Sequence, residues 1–139
     1  MAKKATDLEE RVRLANRELL GKGKLELVDE FFTPDYVARI GSRRGNGPRF
    51  VVRFVRAVRT AFPDLRVVRV TPLLVKGDTI AWQRTLSGTH AAKLSGMPAS
   101  GRKLRWCDIL VSRFERGRIA EEWAVSELAE KLLAAPPRS

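Results

Sequence analysis

Residues 65–90 read LRVVRVTPLLVKGDTIAWQRTLSGTH, and this stretch decides the fold class. Two runs rich in β-branched and aromatic residues flank the turn signal Lys76-Gly77-Asp78, which is the pattern of a β-hairpin. In the second run, alternate residues share one face of the predicted strand, namely Ile80, Trp82, Arg84 and Leu86. The period of the sequence therefore changes from helical to strand-like after Pro63.

The segments that precede this hairpin favour helices. Thr6 and Glu9 form a capping-box pattern that predicts a first helix from Thr6 to Gly21. A short helix over 25–31 follows, ended by Thr33-Pro34, and then a strand over 36–40 and a loop over 41–47. Pro48 predicts the first turn of another helix, which Pro63 closes.

The segments that follow favour strands. Residues 88–101, GTHAAKLSGMPASG, are a flexible connection, and strands are predicted over 103–114 and 118–125 with Glu115-Arg116-Gly117 as the turn. A short helix over 126–134 ends the domain. Helices first and a run of antiparallel strands afterwards predict an α+β fold. We expect one domain over 1–139, with a core of about 6–133 and a frayed tail over 134–139.

The composition predicts a cytoplasmic globular protein. The sequence has 139 residues, no apolar run long enough for a membrane span, and no apolar segment of a secretory signal at its start. Its single cysteine, Cys107, has no internal disulfide partner, and no Cys/His cluster has zinc spacing. We therefore expect no metal site.

The charge raises a second hypothesis about partners. The formal net charge is +11. Arginine dominates residues 39–69, where nine arginines accompany a single acidic residue, Asp64. Such a charge favours nucleic acid or an acidic protein as a partner. The simpler interpretation is a solvated surface, because no nucleic-acid motif or aromatic platform accompanies the arginines.

Five segments in order resemble a known family: LVDEFFTPDYV, AFPDLRV, KGDTIAWQRTLSGTH, GMPASGRKL and DILVSRFERGRIAEEW. They are similar to the SnoaL-like polyketide cyclases and predicted ester cyclases of the nuclear transport factor 2-like superfamily. The resemblance implies a cone-shaped α+β barrel with one pocket, and a homodimer formed through the convex face of the sheet. It also implies ring closure by aldol chemistry without a cofactor, in which a pocket carboxylate takes the proton next to a carbonyl.

Two carboxylates are the candidates for that base. Asp108 lies mid-strand among apolar residues, where it pairs with Arg84 structurally or serves the pocket as acid/base or substrate orienter. Glu127, four residues after Trp123, matches the acid/base of the family pattern, or it only begins the last helix, where the dipole favours acids. The position before Trp123, commonly His in the family, is Glu122 here.

His90 and a set of apolar side chains complete the predicted site. The resemblance places His90 at the pocket rim as a helper, and the alternative is a strand-terminal histidine bonded to the backbone. The predicted walls of the pocket are Trp82, Trp106, Trp123, Phe54 and Met97.

The sequence thus predicts a cofactor-independent enzyme acting on a hydrophobic, polyketide-like carbonyl compound. A non-catalytic hydrophobic-ligand-binding module of the same fold is the alternative. The changed pocket positions, Ala38-Arg39, Glu122 and Glu127, leave the reaction type open.

Overall fold

A computed structural model describes residues 2–134 and confirms the α+β class. Its six strands form a single curved, unclosed sheet in the order β2-β1-β6-β5-β4-β3, so that β2 and β3 are free edges. The helices of the first half of the chain pack on the inner face of the sheet. Between these two layers lies the hydrophobic core.

The first helix, α1, spans Ala2–Ala15 and continues as a wider π-helical turn over Asn16–Gly21. It ends at Gly21 as predicted. The predicted start at Thr6 is wrong, because the helix begins at Ala2 and the capping-box residues lie inside it. The π turn widens the helix where Asn16 faces the core, and such turns occur frequently at functional sites.

A single helical turn and a short helix connect α1 to the sheet. They span Leu25–Leu27 and Val28–Phe31 (α2), which confirms the predicted helix. Strand β1 spans Phe32–Ile40, and β2 spans Arg43–Asn46 inside the segment predicted to be a loop. Gly45 permits this hairpin because a Cβ there would lie 2.1 Å from the Phe50 ring.

Helix α3 spans Pro48–Ala61, with Pro48 in the first turn as predicted. Strands β3 (Arg66–Lys76), β4 (Thr79–Thr89), β5 (Lys103–Glu115) and β6 (Arg118–Ser126) follow, and helix α4 covers Leu128–Ala134. The β5–β6 turn has positive φ at Arg116 and Gly117, which is the turn that matches the twist of a hairpin.

The predicted all-antiparallel sheet needs one correction. Strand β1 pairs with β6 in the parallel sense, with Ala38 opposite Glu122. The first strand of the chain thus inserts beside the last one, and β1 brings its inner side chains to the same cavity wall as those of β6. The predicted frayed tail lies outside the described residues, except for Ala134. Among residues 2–134, no helix has the length and apolar character of a membrane span.

Candidate active site

An interior cavity of about 140 Å³ lies between helices α1 and α3 and the inner face of the sheet. Most of its lining is aliphatic or aromatic. The polar side chains that line it within the described part of the chain are few and come from separate elements: Asn16, Tyr36, Arg39, Arg84, Asp108, Glu122 and Ser126. A mostly apolar cavity with a few convergent polar groups is the usual form of a small-molecule site.

Arg84 and Asp108 form an ion pair in the wall of this cavity. They are directly opposite each other on β4 and β5, and Arg84 Nε donates to Asp108 Oδ2 over 2.7 Å. Arg84 Nη1 also donates to Asn16 Oδ1 over 3.1 Å, and Asn16 Nδ2 donates to the carbonyl of Val12. The guanidinium is therefore held by two elements at once.

The second oxygen of Asp108, Oδ1, is buried without a hydrogen-bond partner in the described structure. Buried polar atoms almost always have partners, so an exception in a cavity wall calls for an explanation. The guanidinium of Arg84 also lies 5.7 Å from the centre of the Phe54 ring and 5.6 Å from that of Trp82. These ring contacts and the ion pair fix the arginine and leave one carboxylate oxygen unengaged.

A second carboxyl group, Glu122, lies in the same cavity wall on β6. Its Oε1 is 2.7 Å from the Tyr36 hydroxyl on β1, and its Oε2 accepts from Ser112 Oγ over 2.5 Å. Trp82 Nε1 in turn donates to Ser112 Oγ over 2.8 Å. Four buried side chains from four strands thus form one continuous hydrogen-bonded chain.

Burial raises the pKa of Glu122 above its ordinary value, although the hydrogen bonds of Ser112 and Tyr36 and the charge of Arg84 act in the opposite direction. Burial, together with the adjacent carboxyl of Glu122, likewise raises the pKa of Tyr36. The cavity wall therefore holds one carboxyl group in a tight ion pair and another, hydrogen-bonded to two hydroxyl groups, whose pKa is raised by burial.

Of the predicted aromatic walls, Trp82, Trp106 and Phe54 line the cavity. Trp123 does not. It lies on the outer face of β6, and 41% of its surface is exposed. The prediction that Trp123 forms a wall of the pocket is therefore wrong, because β6 directs this side chain to the outer face of the sheet.

Glu127 is also outside the cavity. Its side chain is exposed, and its Oε1 accepts from the backbone N–H of Cys107 over 2.8 Å. Its own carbonyl accepts from the N–H of Lys131, in the first turn of α4. This geometry matches the alternative interpretation, in which Glu127 begins the last helix, and Glu127 does not take the predicted place of an acid/base in the pocket.

His90 is buried at the end of β4, away from the cavity lining. Its Nδ1 accepts from the N–H of Ser100 over 3.2 Å, and its ring stacks on Phe62 at 5.5 Å. The histidine therefore holds the base of the connection from 90 to 102. Met97, in that connection, packs on the core but does not line the cavity. His90 therefore does not take its predicted place at the pocket rim, and Met97 does not form the predicted pocket wall.

The site also contains Tyr36, Ser112 and Asn16, which the sequence did not indicate, and Glu122, which the family resemblance marked as a changed pocket position without giving it a role. The direction of the Glu122 side chain depends on the register of β6, which shifts between the pairs Arg113–Glu121 and Phe114–Ile119. After this bulge Glu122, Ala124 and Ser126 line the cavity, and Trp123 and Val125 face outward. A bulge re-aims side chains in this way, and simple alternation does not reveal it.

The basic surface stays apart from the site. Arg49, Arg53 and Arg56 are exposed on α3, opposite its apolar stripe. The hypothesis that they bind nucleic acid stays a prediction. Residues 2–134 contain no cluster of three His, Cys, Asp or Glu residues placed to bind a metal ion.

A curved sheet and helices that enclose an apolar cavity with buried carboxyl groups are typical of domains that bind or convert small molecules. Comparisons with known proteins place the chain in one such family. The sequence profile of the SnoaL-like polyketide cyclases matches residues 10–134, and the chain belongs to this family. It is 26% identical to the nogalonic acid methyl ester cyclase of Streptomyces nogalater over 101 residues, which cover 71% of this chain and 75% of the relative.

Solved structures show the same fold. A candidate SnoaL-like polyketide cyclase from Jannaschia sp. CCS1 superposes with a TM-score of 0.84 at 23% identity, covering 96% of this chain and 94% of its own. IdmH, a candidate polyketide cyclase from Streptomyces antibioticus, superposes with a TM-score of 0.69 at 25% identity, covering 91% of this chain and 95% of its own.

Proposed function

We propose that this protein is a cofactor-independent enzyme that closes a ring in a hydrophobic, polyketide-like substrate, with Asp108 as the base. The observation that carries the proposal is the unpartnered, buried Oδ1 of Asp108 in the wall of an apolar cavity. A buried carboxylate oxygen without a partner is a strong acceptor, because water does not compete for it.

Two requirements of proton abstraction next to a carbonyl, an oriented base and an apolar pocket, are met by residues of this cavity. Arg84 orients Asp108, because its Nε holds Oδ2 and leaves Oδ1 for the substrate. Trp82, Trp106 and Phe54 supply flat apolar walls that suit an aromatic or polycyclic skeleton. Arg84 is thus a positioning residue, and Asp108 is the catalytic residue.

The proposed step balances as an intramolecular aldol addition. Asp108 Oδ1 takes a proton from the carbon next to one carbonyl, and the electron pair of that C–H bond forms an enolate. The enolate carbon then attacks a second carbonyl carbon of the same molecule, which makes the new C–C bond, and the resulting alkoxide takes a proton. The sum is an isomerisation of the substrate, and it consumes no oxidant or reductant.

The experiment follows proton exchange as well as product. Nogalonic acid methyl ester, the substrate named for the Streptomyces nogalater relative, is incubated with the protein in D₂O, and deuterium incorporation and ring closure are followed by NMR. We expect exchange at the carbon next to a carbonyl, lowered about 100-fold or more in Asp108→Asn after circular dichroism has confirmed its fold. Asp64→Asn, outside the cavity, is the matched control.

Two results would redirect the proposal. Turnover by Asp108→Asn at the rate of the unmodified protein would remove Asp108 as the base. Tight binding of the ester with neither exchange nor product would instead favour the hydrophobic-ligand-binding module.

The outer face of the sheet favours a homodimer, which we propose as the assembly of this enzyme. Leu74, Ala81, Val111 and Trp123 are consecutive cross-strand neighbours from β3 to β6, with Ile109 and Val125 beside them. Val125 is 72% exposed and Ile109 is 48% exposed, so the row is a contiguous apolar surface of the kind that marks an interface.

Sedimentation velocity tests the dimer. We expect the unmodified protein to sediment as a dimer. The double variant Trp123→Glu/Val125→Glu should sediment as a monomer. Leu133→Glu is the control, because Leu133 is equally exposed but lies on α4 rather than on this row. A monomer at all concentrations would refute the assembly.

A further inference from the structure

The hydrogen-bonded chain from Trp82 to Tyr36 has a direction that its donors dictate. An indole N–H is only a donor, so Ser112 Oγ accepts from Trp82 Nε1. The hydroxyl proton of Ser112 is then directed at Glu122 Oε2. This oxygen of Glu122 is therefore an acceptor in either protonation state.

The contact between Glu122 and Tyr36 has two arrangements. If Glu122 is ionised, Tyr36 donates its proton to Oε1 and has none left for a ligand. If Glu122 is neutral, its proton lies on Oε1, because Oε2 already accepts from Ser112, and the Tyr36 oxygen accepts it. The phenolic proton of Tyr36 is then free, and Tyr36 lines the cavity.

The surroundings of Glu122 favour the neutral arrangement. Glu122 is 7% exposed, and no cation donates to it in the described structure. Arg84 on β4 is the cation whose charge reaches it, and this guanidinium is already bonded to Asp108 and Asn16.

The other groups around Glu122 do not neutralise a carboxylate. Asp108 on β5 is itself acidic, and Arg39 on β1 donates to Glu121 rather than to Glu122. The residues of α3 that line the cavity are all apolar. A buried carboxyl without a bonded cation is more stable with its proton.

We propose that Glu122 is a neutral carboxylic acid that donates to Tyr36, so that the Tyr36 hydroxyl donates in turn to a carbonyl oxygen of the ligand. Tyr36 is then the acid at the carbonyl that is attacked, and Glu122 and Ser112 are positioning residues. This inference rests on the proposed carbonyl chemistry for its use, but its protonation pattern is a property of the protein alone.

As this acid, Tyr36 supplies the proton that the alkoxide of the proposed aldol step takes up. As the C–C bond forms, the new alkoxide oxygen takes the phenolic proton, and Tyr36 takes the proton of Glu122. The proton that Asp108 removed from carbon returns to Glu122 through solvent before the next turnover. One proton leaves carbon and one arrives at oxygen, so the cycle closes.

The first measurement needs no ligand. Infrared spectroscopy at neutral pH should show the C=O stretch of a protonated carboxylic acid, and this band should be absent in Glu122→Gln. Glu121→Gln is the matched control, because the carboxylate of Glu121 is held by Arg39 and does not line the cavity, and this variant should keep the band. A protein without this band at neutral pH would overturn the proposal.

The second measurement tests the direction of the Tyr36 proton. Acetophenone with ¹³C at its carbonyl should bind in the cavity with its C=O stretch shifted to lower wavenumber. Tyr36→Phe should abolish the shift and weaken binding about tenfold, as expected for one lost hydrogen bond. Absence of binding, or a shift that persists in Tyr36→Phe, would overturn the donor assignment.

The pH profile distinguishes a donor chain from mere packing. In the unmodified protein the shift should vanish as pH rises and Glu122 ionises, because Tyr36 then donates to the carboxylate. Glu122→Gln should show the shift at every pH, because its amide nitrogen donates to Tyr36 and does not ionise. Glu122→Leu should also keep the shift without pH dependence, because leucine offers no acceptor for the phenolic proton. An intact Glu122 band with no ester turnover would refute the proposed reaction but leave this protonation pattern standing.

Discussion

Arg84 and Asp108 are directly opposite each other on β4 and β5, and the 2.7 Å bond from Arg84 Nε to Asp108 Oδ2 lies inside the core. The side chains of both residues are at most 11% exposed. A pair of charges in this setting is a poor source of net stability, because desolvation offsets most of their attraction. It fixes the direction of the free carboxylate oxygen, which is what the proposed reaction uses.

Removing one member of this pair should be costly. In Asp108→Leu the guanidinium of Arg84 loses its counter-charge, and we expect the free energy of unfolding in urea to fall by about 3–5 kcal/mol. The double variant Arg84→Met/Asp108→Leu should lose less free energy of unfolding than the two single variants lose together. Arg39→Gln, which breaks the half-exposed pair with Glu121, should cost at most about 1 kcal/mol. Equal costs at the two pairs would contradict the buried setting.

The raised pKa of Glu122 predicts a pH dependence of stability with a definite sign. Between the ordinary value of 4.5 and the raised folded value, the folded protein keeps a proton that the unfolded chain releases. The free energy of unfolding should therefore fall as pH rises through this window, by about 1.4 kcal/mol per pH unit, and level off above it.

The measurement is the difference between the unmodified protein and Glu122→Gln in urea unfolding at a series of pH values. Groups common to both proteins cancel in this difference. A difference that does not change from pH 4 upward would show that folding leaves the pKa of Glu122 where it is in the unfolded chain.

Much of the inner sheet face was predictable from the sequence, because β4 and β5 alternate without interruption. Of the two alternatives for Asp108, the pair with Arg84 is confirmed by the register of these strands. Trp82 and Trp106 lie on the same inner face and line the cavity. Period-2 alternation carries this information locally. The family resemblance predicted that helices and this curved sheet enclose one pocket.

The rest of the site depends on contacts that are distant in the sequence. Glu122 meets Tyr36 across 86 positions through the parallel β1–β6 pairing, and the β6 bulge inverts the faces that alternation assigns. The error at Trp123 is therefore an error of register. Short-range patterns also could not show that Glu127 would bond to the backbone of Cys107.

His90 is predicted to act through the connection that follows it. His90→Leu removes the acceptor of the buried Ser100 N–H, and we expect a loss of about 1–3 kcal/mol and faster proteolytic cleavage between 91 and 102. Because His90 does not line the cavity, affinity for acetophenone should stay within about threefold.

Ser100→Ala is the matched variant for His90→Leu, since it keeps the N–H bond to His90 and loses only the hydroxyl contacts. It should destabilise the protein less than His90→Leu and leave the connection more resistant to protease. A loss of ester turnover in His90→Leu, with folding and cleavage unchanged, would restore His90 as a catalytic candidate.

Gly45 should be intolerant of a side chain because of its position against a cavity residue. Its added Cβ would lie 2.1 Å from Phe50 Cδ1, and Phe50 lines the cavity. The ring has to move, so Gly45→Ala should lower the free energy of unfolding by about 1–3 kcal/mol and weaken acetophenone binding as well. Ser42→Ala, in the exposed turn between β1 and β2, should change stability by no more than about 0.5 kcal/mol. A Gly45→Ala protein as stable as Ser42→Ala would mean that the ring yields freely, and that Phe50 does not fix the shape of this end of the cavity.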